Sequence, residues 1–577
     1  MIPISQREAR VARNFTSSLH PVLERIYLAR GIGEDAQLRL DLSELLPPEQ
    51  LLNIDRACAL LIEMLEKRAP ILIVGDFDAD GATSAALAVS GLRAMGFPKV
   101  DHLVPNRFDY GYGLSPEIVD VAAQRQPALI VTVDNGISSH AGVRRAHELG
   151  IKVLVTDHHL PGATLPDADC ILNPNQPGCP FPSKALAGVG VMFYLLAALR
   201  SRLREHGWFR SQGIAEPKLA DFLDLVALGT VADVVPLDQN NRRLVRHGLQ
   251  LIRSGRCRPG VRALLEVGRR NPANVVAADL GFAAGPRLNA AGRLDDMSLG
   301  IACLLAQDEA TARRLALQLD ALNQDRRQIE QEMQSEALAL LNMEFAGVQE
   351  RRSICLFDPN WHQGVIGILA GRLKERLHRP VIVFASADNG ELKGSGRSIA
   401  GIHLRDVLDR VASSWPGLLS KFGGHAMAAG LSLARDKFEQ FREAFEQTLR
   451  VEVAEELFAP RRYCDGALTP DCFTLEFAEL LRDAGPWGQH FPEPVFHNGF
   501  QVLSRRVLND KHLKLTLGVP GTGTLVDGIA FNQEPEVLAD TRENVSLLYR
   551  LDINEFRGQR QVQLNIDHLS YLDQPFA

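Results

Sequence analysis

The chain has 577 residues, a formal net charge of -7 and eight cysteines. Its length exceeds that of a single hydrophobic core, so several domains are expected. The negative charge excludes a global attraction to polyanions, and any basic surface for nucleic acid must therefore be local. The cysteines form no C-x-x-C pair, and the first 30 residues lack a signal-peptide core. Both features predict a cytoplasmic chain that makes no contact with a membrane.

The first apolar run of the chain predicts the start of a parallel sheet. Residues 1–50 form an irregular, partly helical lead-in, and from residue 51 helix and strand patterns alternate. Ile71–Val74 is uninterrupted and apolar, which is typical of a strand buried on both faces. This strand is followed directly by Asp76, Asp78, Asp80 and Gly81.

Three carboxylates at this spacing repel one another, and a cation is the usual reason for placing them together. An EF-hand calcium loop shares the Asp spacing, but it needs a preceding helix and a Glu at its twelfth position, which here is Leu87. A charged turn between a strand and a helix is the remaining alternative.

Two further apolar runs, Ala128–Val133 and Ile151–Thr156, also end in polar residues. The first is followed by Asp134, and the second by Asp157-His158-His159. Because parallel strands present ligands at their carboxyl ends, we expect these side chains to converge, with Asp233 as a further candidate. Such oxygen and imidazole ligands suit Mg²⁺ or Mn²⁺ and are numerous enough for two cations that activate water against a phosphodiester.

Two segments of this first domain carry candidate substrate residues. In the aromatic loop 104–114, Arg107 is positioned to contact phosphate and Phe108 or Tyr112 to contact a base, although a well-packed connection is the alternative. Residues 184–300 are predicted to be mostly helical and contain a turn with Arg287, Asn289 and Arg293. Its arginines suit bidentate phosphate binding, with a structural ion pair as the alternative.

A long helix is predicted after this domain, because residues 301–346 contain neither Gly nor Pro. A helix over 308–346 would be roughly 58 Å long, which predicts a bridge between two domains. A coiled-coil dimer is the alternative, although its seam would include Arg326.

The remaining chain predicts a second α/β domain and a β-barrel. Three loops of the second domain carry donors and glycines suited to phosphate: His362, Ser395, Arg397, Gly424 and His425. Five alternating segments between residues 496 and 572 predict an OB-like barrel that binds single strands through charge and stacking. Candidates on the barrel are Arg505, Arg506, Lys511, Lys514, Phe531 and Tyr549, although ordinary surface or core is the favoured alternative for any one of them.

The order and spacing of the acidic motifs resemble the DHH phosphoesterase superfamily. The matching residues are Asp78-x-Asp80, Asp134, Asp157-His158-His159 and Asp233. The longer strings Val-Gly-Asp-Phe-Asp-Ala-Asp-Gly and Gly-Thr-Val-Ala-Asp-Val-Val-Pro are similar to the RecJ family of single-stranded-DNA exonucleases. One departure is Val74, where many superfamily members have a His, and Asp76 is expected to compensate for it.

The resemblance implies five regions and a role for each site residue. The regions are a lead-in (1–50), a DHH catalytic domain (51–300), a connecting helix (301–347), a DHH-associated substrate-binding domain (348–455) and an OB-like domain (456–577). The implied metal ligands for two Mn²⁺ or Mg²⁺ ions are Asp76, Asp78, Asp80, Asp134, His158 and Asp233. His159 would contact the scissile phosphate, Asp157 would orient its neighbours, and Asp134 would bridge the ions.

The implied function is 5′-to-3′ hydrolysis of single-stranded DNA to nucleoside 5′-monophosphates in repair and recombination. The expected chain is a monomer that works with a single-strand-binding protein or a helicase. One alternative is a phosphoesterase for small molecules or short oligonucleotides. The other is a non-catalytic DNA-binding component of a repair assembly.

Overall fold

The computed structural model describes residues 3–104, 113–344, 351–387, 390–556 and 558–574. The chain divides into two units. The larger unit comprises Ile4–Gly292, Asp296–Leu319 and Tyr463–Ala577, and the smaller comprises Met1–Pro3, Arg293–Asp295 and Asp320–Arg462. No helix among the described residues is long and apolar enough to cross a membrane.

A parallel sheet lies in the first part of the larger unit. The elements are β1 (Ile4–Gln6), α1 (Pro21–Ala29), α2 (Ile54–Glu66), β2 (Ile71–Gly75), α3 (Ala79–Ala94), β3 (Val100–Leu103), α4 (Pro116–Ala123), β4 (Leu129–Val133), α5 (His140–Glu148), β5 (Lys152–Thr156), β6 (Cys170–Leu172) and α6 (Gly188–Glu205). Strands β2 to β6 pair in parallel in the order β3-β2-β4-β5-β6. β2 and β4 are buried along their whole length, as their apolar sequences require. The predicted parallel sheet is confirmed.

Helices follow the sheet, as predicted for residues 184–300. They are α7 (Trp208–Gln212), α8 (Leu223–Ala232), α9 (Gln239–Arg253), α10 (Pro259–Val267), α11 (Ala277–Asp279), a π-helical turn (Leu280–Ala284), α12 (Gly285–Leu294), α13 (Ser298–Leu305) and α14 (Glu309–Glu344). The long helix α14 falls inside the predicted range of 308–346. Its residues up to Leu319 belong to the larger unit, and those from Asp320 belong to the smaller unit.

Arg326, at the position expected in a coiled-coil seam, is buried inside the smaller unit. Its Nη1 atom lies 2.8 Å from Glu330 Oε2, and Glu330 Oε1 lies 2.8 Å from Nε of Arg372. This chain of ion pairs links the part of α14 that belongs to the smaller unit to the helix that contains Arg372 in the same unit. It therefore supports the bridging interpretation of the helix over a coiled coil.

The smaller unit contains a mixed sheet. Its elements are β7 (Ile354–Phe357), α15 (Ile366–Leu377), β8 (Val381–Ser386), β9 (Glu391–Arg397), α16 (Leu404–Ser414), β10 (Lys421–Gly424), β11 (Ala428–Ala434) and α17 (Phe438–Glu452). The strand order is β10-β11-β9-β8-β7, and only β7 and β8 pair in parallel. Phe384, Phe441 and Phe445 fill one side of the core.

The C-terminal region closes into a five-stranded barrel. After β12 (Arg462–Cys464) and α18 (Leu475–Asp483) come β13 (Phe496–Leu508), β14 (His512–Gly518), β15 (Leu525–Ala530), α19 (Pro535–Ala539), β16 (Asn544–Phe556) and β17 (Gln559–Leu572). The barrel order is β13-β14-β15-β17-β16, which confirms the OB-like prediction. Tyr549, which was expected as a stacking candidate, is fully buried, and its hydroxyl lies 2.8 Å from Asn498 Oδ1. That expectation was wrong, because alternate residues of a barrel strand face the core.

The N-terminal lead-in fixes the segment that precedes the barrel. The Arg30 guanidinium binds Asp465 bidentately at 2.7 and 3.0 Å, and each side chain is only 1% exposed. Arg30 also lies 5.4 Å from the ring of Trp487, and Arg242 on α9 lies 4.4 Å from the ring of Phe491. Within the larger unit, these buried cations join the lead-in and the helical region to the barrel segment.

Candidate metal centre

The register of the parallel sheet aligns the acidic motifs at one edge of the sheet. Gly75 pairs with Val133, and Val133 pairs with Thr156. The next residue in each strand is therefore an aspartate at the same edge of the sheet: Asp76, Asp134 and Asp157. This arrangement follows from in-register parallel pairing, which ends neighbouring strands side by side.

The carboxylates and imidazoles form three overlapping clusters. In each cluster, all the potential ligand atoms lie within 4.8 Å of one another. The clusters are Asp76, Asp78 and Asp134; Asp80, His158 and Asp233; and Asp134, His158 and His159. Asp134 and His158 each belong to two clusters, and the Asp134 carboxylate has two oxygens that neighbouring sites could share.

His158 faces three carboxylates of the clusters. Its Nε2 atom lies 3.1 Å from Asp134 Oδ1, 3.4 Å from Asp233 Oδ2 and 4.0 Å from Asp80 Oδ2. The side chain is 12% exposed. A largely buried imidazole facing three carboxylates is a typical donor set for a borderline or hard divalent cation.

Asp80 is held by the N-terminus of α6. Its Oδ2 atom accepts a hydrogen bond from the Gly188 amide at 2.6 Å, and Oδ1 accepts one from the Val189 amide at 2.9 Å. The positive end of the helix dipole stabilises this buried carboxylate. Only glycine fits at position 188, because a Cβ atom there would lie 2.7 Å from Cβ of Asp134.

Local backbone structure positions Asp78 and Asp134. Asp78 caps α3, with Oδ1 accepting hydrogen bonds from the Asp80 and Gly81 amides at 2.9 and 3.0 Å. Asp134 has φ = +62°, a left-handed conformation that is uncommon outside glycine. Such local strain is found preferentially at functional sites.

Asp157 binds the histidine pair and is not itself a member of the clusters. Its Oδ1 atom lies 2.7 Å from His159 Nδ1 and also accepts hydrogen bonds from the His158 and His159 amides at 2.7 and 3.1 Å. Burial alone would raise the pKa of Asp157, but the His159 hydrogen bond and the charges of both histidines lower it below its usual value. Burial lowers the pKa of His159, but Asp157 and the nearby carboxylates outweigh this and raise it to about 9. In the metal-free chain, these contacts favour the imidazolium form of His159 at neutral pH.

Three carboxylates, those of Asp80, Asp134 and Asp233, resist ionisation when no cation is present. Burial and then the charge of Asp78 raise the pKa of Asp80 to about 7. Burial, followed by repulsion from neighbouring aspartates, raises the pKa values of Asp134 and Asp233 well above their usual range. In the described part of the chain, no group donates a hydrogen bond to the buried Oδ2 atom of Asp233. These features fit divalent cations, which would relieve the repulsion and satisfy that oxygen.

Val74 lies in the apolar core of the parallel sheet, where it is fully buried. A histidine at this position would have to replace a core side chain. Asp76, two residues later, lies in a cluster with Asp78 and Asp134. The expected compensation by Asp76 agrees with this geometry and stays a prediction.

The smaller unit contains a candidate anion site, which we call the anion edge and define as Ser395, Arg397 and the first turn of α15. Arg397 Nη1 donates to Ser395 Oγ at 3.3 Å and to the Gly396 carbonyl at 2.8 Å. A Cβ atom at Gly367 would lie 3.0 Å from Arg397 Nη2, so the guanidinium packs directly on the helix start. Burial lowers the pKa of Arg397, and no carboxylate among the described residues forms an ion pair with it.

His362, Gly424 and His425 belong to the same unit as the anion edge. Arg397 pairs with Ala428 at the start of β11, so the turn that contains His425 lies at the same end of the sheet. His425 is exposed, and Gly424 has φ = +141°, which favours glycine. His362 Nδ1 accepts a hydrogen bond from the Gly364 amide at 3.1 Å. Their roles in substrate binding stay predictions.

The residues of the α12 turn make contacts with the protein itself. Arg287 is buried, with Nη1 donating to the Ala283 carbonyl at 2.6 Å. Asn289 Oδ1 accepts a hydrogen bond from the Ala79 amide at 2.8 Å, which fixes the start of α3 beside Asp78. Arg293 Nη1 donates to the Gly364 carbonyl at 3.1 Å. Their assignment to substrate also stays a prediction. Arg107 and Tyr112 lie outside the described residues.

Three residues that the sequence patterns did not single out support the site. Gly188 provides the amide that binds Asp80, while Asn173 and Asn175 donate to the carbonyls of His159 and His158. The string Asn173-Pro-Asn-Gln-Pro-Gly178 is typical of an ordinary turn. The one feature of this string that indicates a role at the site is its place directly after a strand, at the same edge of the sheet.

Comparisons with known proteins give consistent matches along the chain. Family models match at residues 70–230 (DHH family, N-terminal domain), 350–451 (DHHA1 domain) and 464–568 (RecJ OB domain). The chain is 54% identical over 568 residues to the single-stranded-DNA-specific exonuclease RecJ of Salmonella typhimurium, covering 98% of both chains. It is also 54% identical over 570 residues to that of Escherichia coli, covering 98% of this chain and 99% of that one.

A solved structure has the same fold. The crystal structure of RecJ in complex with Mn²⁺ from Thermus thermophilus matches with a TM-score of 0.77 and 30% identity. The match covers 98% of this chain and 80% of that one. RecJ from the same organism in complex with Mg²⁺ matches with a TM-score of 0.72 and 28% identity, with the same coverage of both chains.

Proposed function

This chain belongs to the RecJ family of the DHH phosphoesterases, and we propose that it is a metal-dependent exonuclease specific for single-stranded DNA. The observation that carries the proposal is the convergence of Asp134, His158 and the neighbouring aspartates in overlapping clusters. The family match over 98% of the chain and the RecJ OB domain support a nucleic acid substrate.

Two divalent cations, Mn²⁺ or Mg²⁺, complete the active site. The residues that would hold them are Asp76, Asp78, Asp80, Asp134, His158 and Asp233. When bound, the cations supply activation of water and stabilisation of charge on the phosphodiester. Asp134, which belongs to two clusters and carries two carboxylate oxygens, would be the ligand best placed to be shared.

Asp157 and His159 act as a pair on the substrate. The Asp157 carboxylate lies 2.7 Å from Nδ1 of His159, which orients the ring and favours a proton on Nδ1. In the imidazolium form of the ring, the Nε2–H group is the donor toward an oxygen of the scissile phosphate, where it stabilises developing negative charge. Loss of Asp157 would remove the hydrogen bond that orients the imidazole.

The anion edge, together with His362, Gly424 and His425, is proposed to bind the phosphates of the DNA strand. The Arg397 guanidinium, half-buried and without a described carboxylate partner, retains its charge for an anion. Arg107, Tyr112, Arg287, Asn289 and Arg293 are proposed to complete substrate binding. The exposed barrel residues Arg506 and Phe531 would contact longer strands.

Finer features of the function are proposals drawn from the family resemblance. The polarity is 5′ to 3′, and the products are nucleoside 5′-monophosphates. The enzyme acts in DNA repair and recombination in the cytoplasm as a monomer, together with a single-strand-binding protein or a helicase. The five-region division of the chain given above is part of the same proposal.

The test is a digestion of 5′-labelled and 3′-labelled DNA, single-stranded or duplex, with Mn²⁺ or with EDTA. We expect the 5′ label to be released first, as a mononucleotide, from the single strand alone, and EDTA to abolish release. First release of the 3′ label would contradict the polarity. Hydrolysis of only very short oligonucleotides would favour the small-substrate alternative, and binding without any cleavage would favour the non-catalytic one.

A further inference from the structure

The main chain of the histidine pair is fixed from two sides. On one side, the Asp157 carboxylate accepts hydrogen bonds from the His158 and His159 amides. On the other side, Asn175 Nδ2 donates to the His158 carbonyl at 2.6 Å, and Asn173 Nδ2 donates to the His159 carbonyl at 2.9 Å. Every polar main-chain group of the pair therefore has a side-chain partner.

The loop that supplies these amides is itself held firmly. Asn173 is fully buried, and its Oδ1 atom accepts a hydrogen bond from the Asn175 amide at 2.7 Å. Lys184 Nζ donates to the carbonyls of Pro174 and Cys179 at 2.6 and 2.8 Å, and the Lys184 carbonyl accepts from Asn175 Nδ2 at 3.2 Å. The two amides thus come from a closed, internally bonded loop.

The position of His158 depends on these bonds. Its Nε2 atom lies 3.1 Å from Asp134 Oδ1 and 3.4 Å from Asp233 Oδ2. A rotation of the peptide after His158 would move the imidazole relative to both carboxylates. Groups that orient metal ligands without touching the metal often change metal affinity about 10- to 100-fold when they are removed.

We propose that Asn173 and Asn175 are positioning residues, which set the His158–His159 backbone so that His158 faces the carboxylates of Asp134 and Asp233. The inference rests on the proposed function only in treating this cluster as a metal centre. Neither asparagine is a metal ligand. Their contribution is to the affinity for the cation and not to the chemical step once the cation is bound.

The test compares two neighbouring amides of the loop. Asn175→Leu removes the donor to His158 while keeping a similar side-chain volume. Gln176→Met is the matched control, because Gln176 Nε2 donates to the Ile171 carbonyl at 3.1 Å and not to a histidine. Mn²⁺ binding to the full chain is measured by calorimetry without DNA, and the thermal midpoint of each variant is measured without metal.

We expect Asn175→Leu to raise the Mn²⁺ dissociation constant about tenfold and Gln176→Met to change it less than about twofold. Nuclease activity of Asn175→Leu should return to near the unsubstituted rate at saturating Mn²⁺. A structural defect would instead lower the metal-free thermal midpoint of Asn175→Leu well below that of Gln176→Met. If Asn175→Leu does not fold, Asn175→Asp, which keeps the shape and loses the donor, serves as the variant.

Unchanged Mn²⁺ affinity in a folded Asn175 variant would overturn the inference, as would equal losses in both loop variants. A rate defect that persists at saturating Mn²⁺ would also overturn it. The proposed function fails separately, if the unsubstituted chain binds Mn²⁺ but does not cleave single-stranded DNA. In that outcome, weaker Mn²⁺ binding by Asn175→Leu would still support the positioning role.

Discussion

The metal centre and the anion edge carry unbalanced charges of opposite sign. The metal centre gathers several aspartates in a largely buried site, and their burial and mutual repulsion raise the pKa values of Asp80, Asp134 and Asp233. The anion edge holds one guanidinium, Arg397, without a described carboxylate partner. Each region is unbalanced in charge by itself. The proposed function assigns cations to the first region and an anionic phosphate to the second.

The largest expected effect comes from removing a shared ligand of the metal centre. Asp134→Asn should lower the rate of DNA hydrolysis by several orders of magnitude, because the two-cation geometry is lost. It should also raise the metal-free thermal midpoint, because folding no longer has to bury and protonate this carboxylate. Rates and thermal midpoints with and without Mn²⁺ check both expectations.

Asp221→Asn provides the control, because Asp221 is exposed in the same unit and belongs to none of the clusters. A residual rate within tenfold of the unsubstituted chain would contradict the role of Asp134. A Mn²⁺-induced rise of the midpoint as large as in the unsubstituted chain would do the same.

The next effect separates the anion edge from the metal centre. Arg397→Ala should lower kcat/KM by about ten- to a hundredfold, because charge-assisted hydrogen bonds contribute roughly 1.5–3 kcal/mol. Metal affinity should stay unchanged. Kinetics on single-stranded DNA and Mn²⁺ titration measure the two quantities separately.

Arg405→Ala, at an exposed arginine of the same unit, is the control for loss of charge alone. If Arg397→Ala leaves the kinetics unchanged, its guanidinium has a structural role. If metal affinity falls instead, the proposal that Arg397 acts on the substrate and not on the metal centre is wrong.

The pH dependence of stability tests the imbalance of the metal centre directly. The pKa of Asp80 is about 7 in the folded, metal-free chain against an ordinary value of 3.8, so folding favours its protonated form. This contribution is complete below about pH 4 and is lost as the pH rises through 7. Asp134 and Asp233 act in the same direction.

The metal-free thermal midpoint should therefore fall between about pH 5 and pH 8. Saturating Mn²⁺ should oppose this fall, because cations bind the deprotonated carboxylates. Midpoints measured by calorimetry in EDTA and in Mn²⁺ across this range make the comparison. Identical pH profiles under both conditions would show that the cluster does not hold the cation.

The smallest expected effect concerns the barrel. Arg506 is exposed on β13 and pairs across the strands with Lys514. If it contacts one phosphate, Arg506→Ala should flatten the log-log salt dependence of single-strand binding by roughly 0.7. A salt series on one long strand measures the slope, with Arg210→Ala of the larger unit as the control. Equal slopes for all three chains would remove Arg506 from the DNA-binding surface.

The sequence determined the elements and the ligand types. Uninterrupted apolar runs such as Ile71–Val74 specify buried parallel strands, because both of their faces need apolar partners. Aspartates that directly follow those strands must meet at one edge, so the metal cluster could be predicted from order alone. The alternating segments of the barrel and the long helix α14 were equally evident, because periodicity is a local property of the chain.

Tertiary structure decided which hydrogen-bond donors hold the metal-ligand candidates in place. It also decided which of the substrate-binding candidates are buried in the core. Asp80 accepts a hydrogen bond from the Gly188 amide, which lies 108 residues away in the sequence. No local sequence pattern predicts such a pairing. The barrel closure buries Tyr549, and the fold of the loop after β6 turns Asn175 toward His158. Periodicity reports the face of a single element, whereas hydrogen-bond partners depend on how separate elements meet. The physical reason is that burial and dielectric at a site arise only when distant segments pack around it.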